Sequence, residues 1–292
     1  MKNNDKIRFF NAERVYQIVI NTLIAIMVLI CIYPLIYILS ASFMSATEWN
    51  ERAGLFLFPH APTLEAYGVV LQQKGLYYAF LVSIARVIAG PLTGITVCFV
   101  TGYTLARPDF YGKKVLSVFI FVTLVYGAGF IPNYLVVDLT GLTNTFWVYI
   151  IPGLLTGWST LVFRQTFTST PASIEESARV DGANELDIMF KIMLPMNMPT
   201  VAVMLLFAAV SHWNAWFDAM VYIDSNNVSL ISLQLYLKNA FTATDSSTTG
   251  LIIHSETQKM VIAVVGIVPI LCIYPFFQKY FTKGVYMGAV KG

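Results

Sequence analysis

Six stretches of this chain are each long and apolar enough to cross a hydrocarbon layer about 30 Å thick, which takes about 20 mostly apolar residues. They lie near 15–42, 77–105, 114–137, 145–167, 199–223 and 258–281. Only 12% of the 292 residues are charged and 57% are hydrophobic, against about 25% charged in ordinary soluble domains. That excludes a water-soluble globule. A membrane β-barrel would show alternating segments of about ten residues, and none are seen, so the expected fold class is all-α: a polytopic membrane protein with six transmembrane helices in a single transmembrane domain over 1–292.

The first stretch follows Lys2, Lys6, Arg8 and Arg14 and is longer than the apolar core of a cleaved signal peptide, so it reads as a retained anchor. Lysine and arginine are held on the cytoplasmic side during insertion. Thirteen of the seventeen that flank the six stretches fall on the side of the two termini, and the other side holds Arg52, Lys74, Lys238 and Lys259. Both termini are therefore expected in the cytoplasm. Prolines inside the stretches (Pro34, Pro91, Pro132, Pro152, Pro269 and Pro275) are expected to kink helices, which neighbouring helices tolerate in a membrane. Outside, residues 44–76 should carry a short helix near 64–71, and the Ser, Thr and Asn-rich connection 224–257 should form a surface lid or partner contact.

Several classes of function are excluded. A net charge of +2 is too small for a partner bound through phosphate neutralisation, so nucleic acid is not expected. Cys31, Cys98 and Cys272 each sit in an apolar run, and His60, His212 and His254 are scattered without ligand spacing, so no metal site is expected. GxxxxGK[ST], HExxH and GxSxG are absent from the sequence. The chain therefore has no phosphate-cradling loop of its own, and no catalytic residue is assigned.

Between the fourth and fifth stretches lies TPASIEESARVDGANELDIMFKIMLPMNMP, whose coupling segment spans 170–195. Ser173 followed by Glu176 has the spacing of a capping box that would start a short helix. Gly182 can take the left-handed conformation that ends it, and Asn184 can cap a second helix. There Leu186, Met189, Phe190, Met193 and Leu194 recur at the spacing of one apolar helical stripe, which Pro195 should stop. The resulting helix–Gly–helix elbow is either a connector lying in the lipid interface or a knob that seats on a cytoplasmic partner, with Glu176 and Asp181 available to partner cations.

The pattern E-S-A-x-x-D-G-A ending nine positions later in I-x-L-P, carried by Glu176, Ser177, Ala178, Asp181, Gly182, Ala183, Ile192, Leu194 and Pro195, resembles the coupling motif of binding-protein-dependent ABC importer permeases. Ser177 stands where that family usually has alanine. TLARPDFYGKK, HWNAW and the ending QKYFTKGVYMGAVKG look like the maltose-type carbohydrate permeases, especially those for oligosaccharides and polysaccharide fragments. The resemblance implies a permease subunit working by alternating access in the cytoplasmic (inner) cell membrane. It also implies a second homologous permease, two copies of a cytoplasmic ATPase that bind ATP and Mg, and an extracytoplasmic sugar-binding protein. The elbow would dock on the ATPase.

Within the fifth stretch, SHWNAWFDAMVY places Trp213, Asn214, Trp216 and Asp218 in an apolar helix. Polar groups there usually face a bundle interior or aqueous path. Trp213 and Trp216 could stack on sugar rings while Asn214 bonds to hydroxyls, or they belong to the aromatic belt and to packing. Arg86, the one Lys or Arg counted inside a stretch and not at its flanks, could draw an acidic sugar, snorkel outward, or pair with Asp218 or Asp138. An ion-coupled carrier would need a mid-membrane ionisable relay, and a membrane enzyme a convergent acid–base cluster; the sequence gives Arg86 with Asp218 for the first and nothing for the second.

Overall fold

A backbone in hydrocarbon must bond to itself, and every regular element of the described chain is helical. The computed structural model describes residues 2–52, 58–242 and 256–289, with side chains over 13–52, 58–242 and 256–272. The chain divides into two compact units, Met1–Gln72 with Ile253–Val265 and Gln73–Ile252 with Gly266–Gly292.

In the first unit, α1 (Lys2–Ser42) runs through Pro34 as one helix. Its segment Glu13–Ser42 is long and apolar enough to span a membrane, and side chains such as Ile18, Leu29 and Ile30 are bare, as a lipid-facing surface requires. Ala41 and Met44 form a small core with Tyr37, Trp49 and Met260. Short helix α2 (Ala46–Glu51) starts where the Ser45 hydroxyl accepts the Glu48 N–H at 3.1 Å. The short helix expected near 64–71 is α3 (Glu65–Val70).

The second unit is built on α4 (Lys74–Ala106), 33 residues long and continuous through Pro91. The stretch expected to span at 114–137 is not one helix. It forms α5 (Lys113–Val125) and α6 (Phe130–Leu139), bent by 117°, because Gly127 and Gly129 interrupt the run and Gly129 takes φ +82°, where glycine escapes the side-chain clash. The stretch at 145–167 opens with two tight turns, Phe146–Tyr149 and Ile151–Gly153, before α7 (Gly157–Thr168), with a 46° bend. Beyond α7 come the elbow's pieces, α8 (Ala172–Val180), α9 (Glu185–Asp187) and α10 (Leu194–Met196). The fifth stretch, 199–223, divides into α11 (Met198–Asn214) and α12 (Phe217–Tyr222), parted at Ala215 and Trp216. Next is α13 (Leu233–Thr242), and α14 (Glu256–Ala289), whose residues to Val265 belong to the first unit, continues across the sixth stretch. Among the described residues two helices qualify as unbroken crossings, and three bent pairs qualify jointly. Of the connection 224–257 expected to form a lid or partner contact, residues 224–242 are described and carry α13, whose Leu233, Leu235, Tyr236 and Ala240 are buried, whereas 243–255, with most of FTATDSSTTG, lie outside the described residues.

α4 packs along both α7 and α11. Its Phe99 meets Phe163 and Phe167 edge-on at 5.4 and 5.0 Å, and Tyr103 meets Phe167 at 5.4 Å; each such pair contributes about 0.5–1.5 kcal/mol beyond area burial. Gly102 allows the close approach, since a Cβ there would sit 2.6 Å from that of Phe163. Ala178, Ile188, Met189 and Met193 join this same core, so the elbow is fixed to the bundle by burial.

Candidate functional site

The elbow begins earlier than the capping box implied. α8 starts after Pro171, with no side-chain cap, and Ser173 lies inside the helix. Proline's fixed φ favours a helix start, which moves the boundary two residues back. At the other end the expectation and the geometry coincide. Gly182 takes φ +83°, its N–H reaches the Arg179 carbonyl at 3.0 Å, and the Ala183 N–H reaches Ala178 at 2.9 Å. This pair of bonds closes the last turn and requires a left-handed residue between them. Asn184 then accepts the Asp187 N–H at 2.9 Å and caps α9.

The second arm departs from the expected stripe. Residues Ile188–Met193 form a wide π turn, in which the Leu194 N–H bonds to Met189, five residues back. The extra residue in the turn rotates the faces. Ile188, Met189 and Met193 are buried, whereas Leu186 is 64% exposed and Phe190 is also exposed. Pro195 does not stop the helix; α10 contains it, and the chain turns at Asn197, 81° into α11.

Two sides of the elbow result. Ala178 is buried, and Ala183, Ile192 and Leu194 pack partly on the core. Glu176, Ser177, Asp181, Gly182 and Pro195 are exposed, and Val180 is 87% exposed. Glu176 and Asp181 form no ion pair among the described residues. A Cβ at Gly182 would meet nothing within 4 Å, so the cost of placing a side chain there is set by backbone strain, about 1–2 kcal/mol for a left-handed L-residue. Gly182→Val should lower the thermal unfolding midpoint of the detergent-solubilised protein, and Gly182→Asn should lower it less. Equal midpoints for all three would contradict this account of the turn.

Sequence reasoning missed a charged clamp on the elbow. Arg107, at the end of α4, pairs with Glu175 on α8 and with Glu185 on α9. Its guanidinium lies 4.4 Å from the Tyr103 ring centroid, and the Tyr103 hydroxyl donates to Glu185 at 3.1 Å. Arg179 bridges the same two carboxylates, at 3.0 Å to Glu185 and 3.8 Å to Glu175. Burial pushes the Glu185 carboxyl up, but Arg107, the Tyr103 hydroxyl and Arg179 outweigh it and hold it below the usual carboxylate range. The only local signals were the i, i+4 spacing of Glu175 and Arg179 and an arginine closing an apolar run.

The second polar centre surrounds Arg86, which is 1% exposed. Its two terminal nitrogens engage both carboxylate oxygens of Asp218, Asp138 taking no part. One of them also donates to the Ala215 carbonyl at 3.3 Å. The guanidinium lies 4.3 Å from the centre of the Tyr149 ring, whose hydroxyl donates to the Leu230 carbonyl at 2.6 Å. Arg86 thus satisfies a carbonyl left free where α11 breaks, as apolar surroundings demand. Trp213 is buried, donates to the Gly266 carbonyl at 3.1 Å and meets Phe80 edge-on. Trp216 is covered by the Lys238 ammonium, 4.0 Å from its ring centroid. Of the four residues expected to line a path in this stretch, Trp213 is buried, Trp216 and Asp218 are half-buried, and Asn214 is exposed.

Comparison with known proteins gives consistent matches. Residues 94–286 match the family described as binding-protein-dependent transport system inner membrane component. The polygalacturonan/rhamnogalacturonan transport system permease protein YtcP of Bacillus subtilis (strain 168) is 31% identical, over 96% of this chain and 99% of its own. Protein LplC of the same organism is 33% identical over 90% of each chain. The crystal structure of a bacterial ABC transporter involved in the import of the acidic polysaccharide alginate contains a chain superposing with a TM-score of 0.85 at 31% identity, covering 92% of this chain and 98% of that one.

Proposed function

The chain belongs to the family of binding-protein-dependent transport system inner membrane components, and from that premise we propose that it is the permease subunit of an ATP-driven ABC importer for a carbohydrate, an oligosaccharide or polysaccharide fragment. It is a transport subunit and not an enzyme; the ATPase is a separate subunit. The carbohydrate class is supported by the names of the relatives, which handle polygalacturonan and alginate. In this proposal both termini lie in the cytoplasm, ATP and Mg are bound by two partner ATPase copies, and a second homologous permease completes the membrane path.

The observation that carries the mechanism is the two-sidedness of the elbow. Its inner side is fixed to the bundle by Ala178, Ile188, Met189 and Met193 and clamped by Arg107, while its outer side offers Val180, Leu186 and Phe190 beside Glu176 and Asp181. Such a surface suits a groove with an apolar floor and basic rim on the ATPase. Nucleotide-driven closure of the ATPases would displace the elbows, and the bundles would turn between outward-facing and inward-facing states. Coupling of this kind requires the ATPase to prefer different permease states with and without nucleotide.

Purification of the tagged chain from its native membrane in mild detergent tests the assignment. A second permease and an ATPase should accompany it in the ratio one to one to two. A chain recovered alone from several mild detergents would remove the coupling role.

A further inference from the structure

A cavity of about 300 Å³ is walled by α4, α7, α11 and the turn at Gly153. Trp158 and Phe207 flank it, their ring centroids 6.0 Å apart, and Ser159, Ser211 and His212 also line it. What sets these three polar residues apart is the bonding of their neighbours. In α4, Thr93, Thr96, Thr101 and Thr104 each donate to the carbonyl four residues back, and Ser83 accepts the Leu233 N–H. In α7, Thr160, Thr166 and Thr168 also donate to the carbonyl four residues back. A hydroxyl in an apolar helix bundle is satisfied at home in this way.

Ser159 breaks the rule for α7. It is only 8% exposed, yet has no hydrogen-bond partner among the described residues. The hydroxyl of Ser211 likewise has none, and the Nδ1 atom of His212 is buried without a partner. A buried polar group left unpaired costs about 1–3 kcal/mol; His212 Nδ1 is one, and it shares the cavity with two hydroxyls that have no partner among the described residues, Ser159 in a buried residue and Ser211 in an exposed one. A lipid chain would leave them unpaired. No charged side chain lines the space, and the nearby guanidinium of Arg86 is already engaged by Asp218.

We propose that this cavity is a subsite for one sugar ring of the transported chain, held by its hydroxyls and not by a carboxylate. The C–H face of the ring packs against Trp158 and Phe207, and ring hydroxyls exchange hydrogen bonds with Ser159, Ser211 and His212. The proposal rests on the carbohydrate reading above and names where this subunit touches the cargo. It replaces the path expected through Trp213 and Trp216.

The test is uptake by the complete transporter in proteoliposomes with saturating binding protein, using labelled trigalacturonate, an alginate trisaccharide and a neutral arabinan trisaccharide as probes. The Ser159→Ala/Ser211→Ala double variant should lose about tenfold in maximal uptake of whichever probe the wild type imports, while keeping binding-protein-stimulated ATP hydrolysis. Ser211→Thr, which retains the hydroxyl, should stay within twofold, and Ser211→Phe, which fills the cavity, should fall as far as the double variant. Wild-type uptake by the double variant overturns the subsite. So does an equal fall in uptake and stimulated ATP hydrolysis, which marks a damaged fold. A wild-type transporter that imports none of the probes overturns the carbohydrate reading, and the subsite with it.

Discussion

Asp218→Asn destabilises the protein by roughly 3–5 kcal/mol, the usual cost of removing one partner of a buried ion pair and leaving the other charge uncompensated. Arg86 is almost fully enclosed; its guanidinium then keeps neutral company, one amide oxygen at position 218, the Ala215 carbonyl and the Tyr149 ring, and no opposite charge. Arg86→Leu alone strands the carboxylate instead and leaves that carbonyl only the Ser232 hydroxyl, at 3.4 Å. The double variant Arg86→Leu/Asp218→Leu should be much closer to wild type than either single one, because apolar groups of similar size avoid the desolvation penalty. Thermal unfolding of the four proteins in one detergent gives the full double-mutant cycle. Single variants as stable as wild type would show that water reaches this pair and that it does not fasten α4 to α12.

Arg107→Gln should separate ATP hydrolysis from transport. The glutamine keeps the length and some hydrogen bonding but cannot answer two carboxylates at once, so Glu175 and Glu185 repel each other with only Arg179 between them. We expect stimulation of ATP hydrolysis by loaded binding protein to fall about tenfold in the complete transporter, while the subunit ratio on purification is unchanged. Glu185→Gln in the same background should add little further loss, since residues in one charged network are not additive. Full stimulation in Arg107→Gln would leave apolar burial as the sole attachment of the elbow.

What could be read from the sequence follows the distance over which each feature is decided. Gly182 and Asn184 are governed by bonds to residues three to five positions away, and both were legible. Ser173 was misjudged because Pro171, two places earlier, sets the helix start. The apolar stripe failed because periodicity assumes a uniform helix, and the π turn over Ile188–Met193 changes the period where Pro195 removes a donor. Apolar composition reveals a membrane protein but not the breaks within its crossings. The bend between α5 and α6 is written in two glycines inside an apolar run, which hydropathy does not register. The Arg107 clamp joins residues 78 positions apart, and the unpaired groups of the cavity meet from two helices, Ser159 from α7 and Ser211 with His212 from α11. Pattern in one chain carries no record of such meetings. Arg86 with Asp218, 132 positions apart, was foreseen only as one of several partners, because a charge in an apolar run must find some opposite charge.

The double grip of Arg107 also has a mechanical meaning. A lever hinged on a flexible pivot wastes part of its stroke in play before the far end moves. In the proposed cycle Gly182 would be that pivot, since its conformation is set by the backbone and nothing packs against it. One guanidinium holding a carboxylate on each arm takes up the slack. The angle between the arms is then fixed at the root of α4, and a push on Val180 or Leu186 turns the elbow and that helix as one piece, with little lost motion between the subunit that spends the nucleotide and the subunit that moves the cargo.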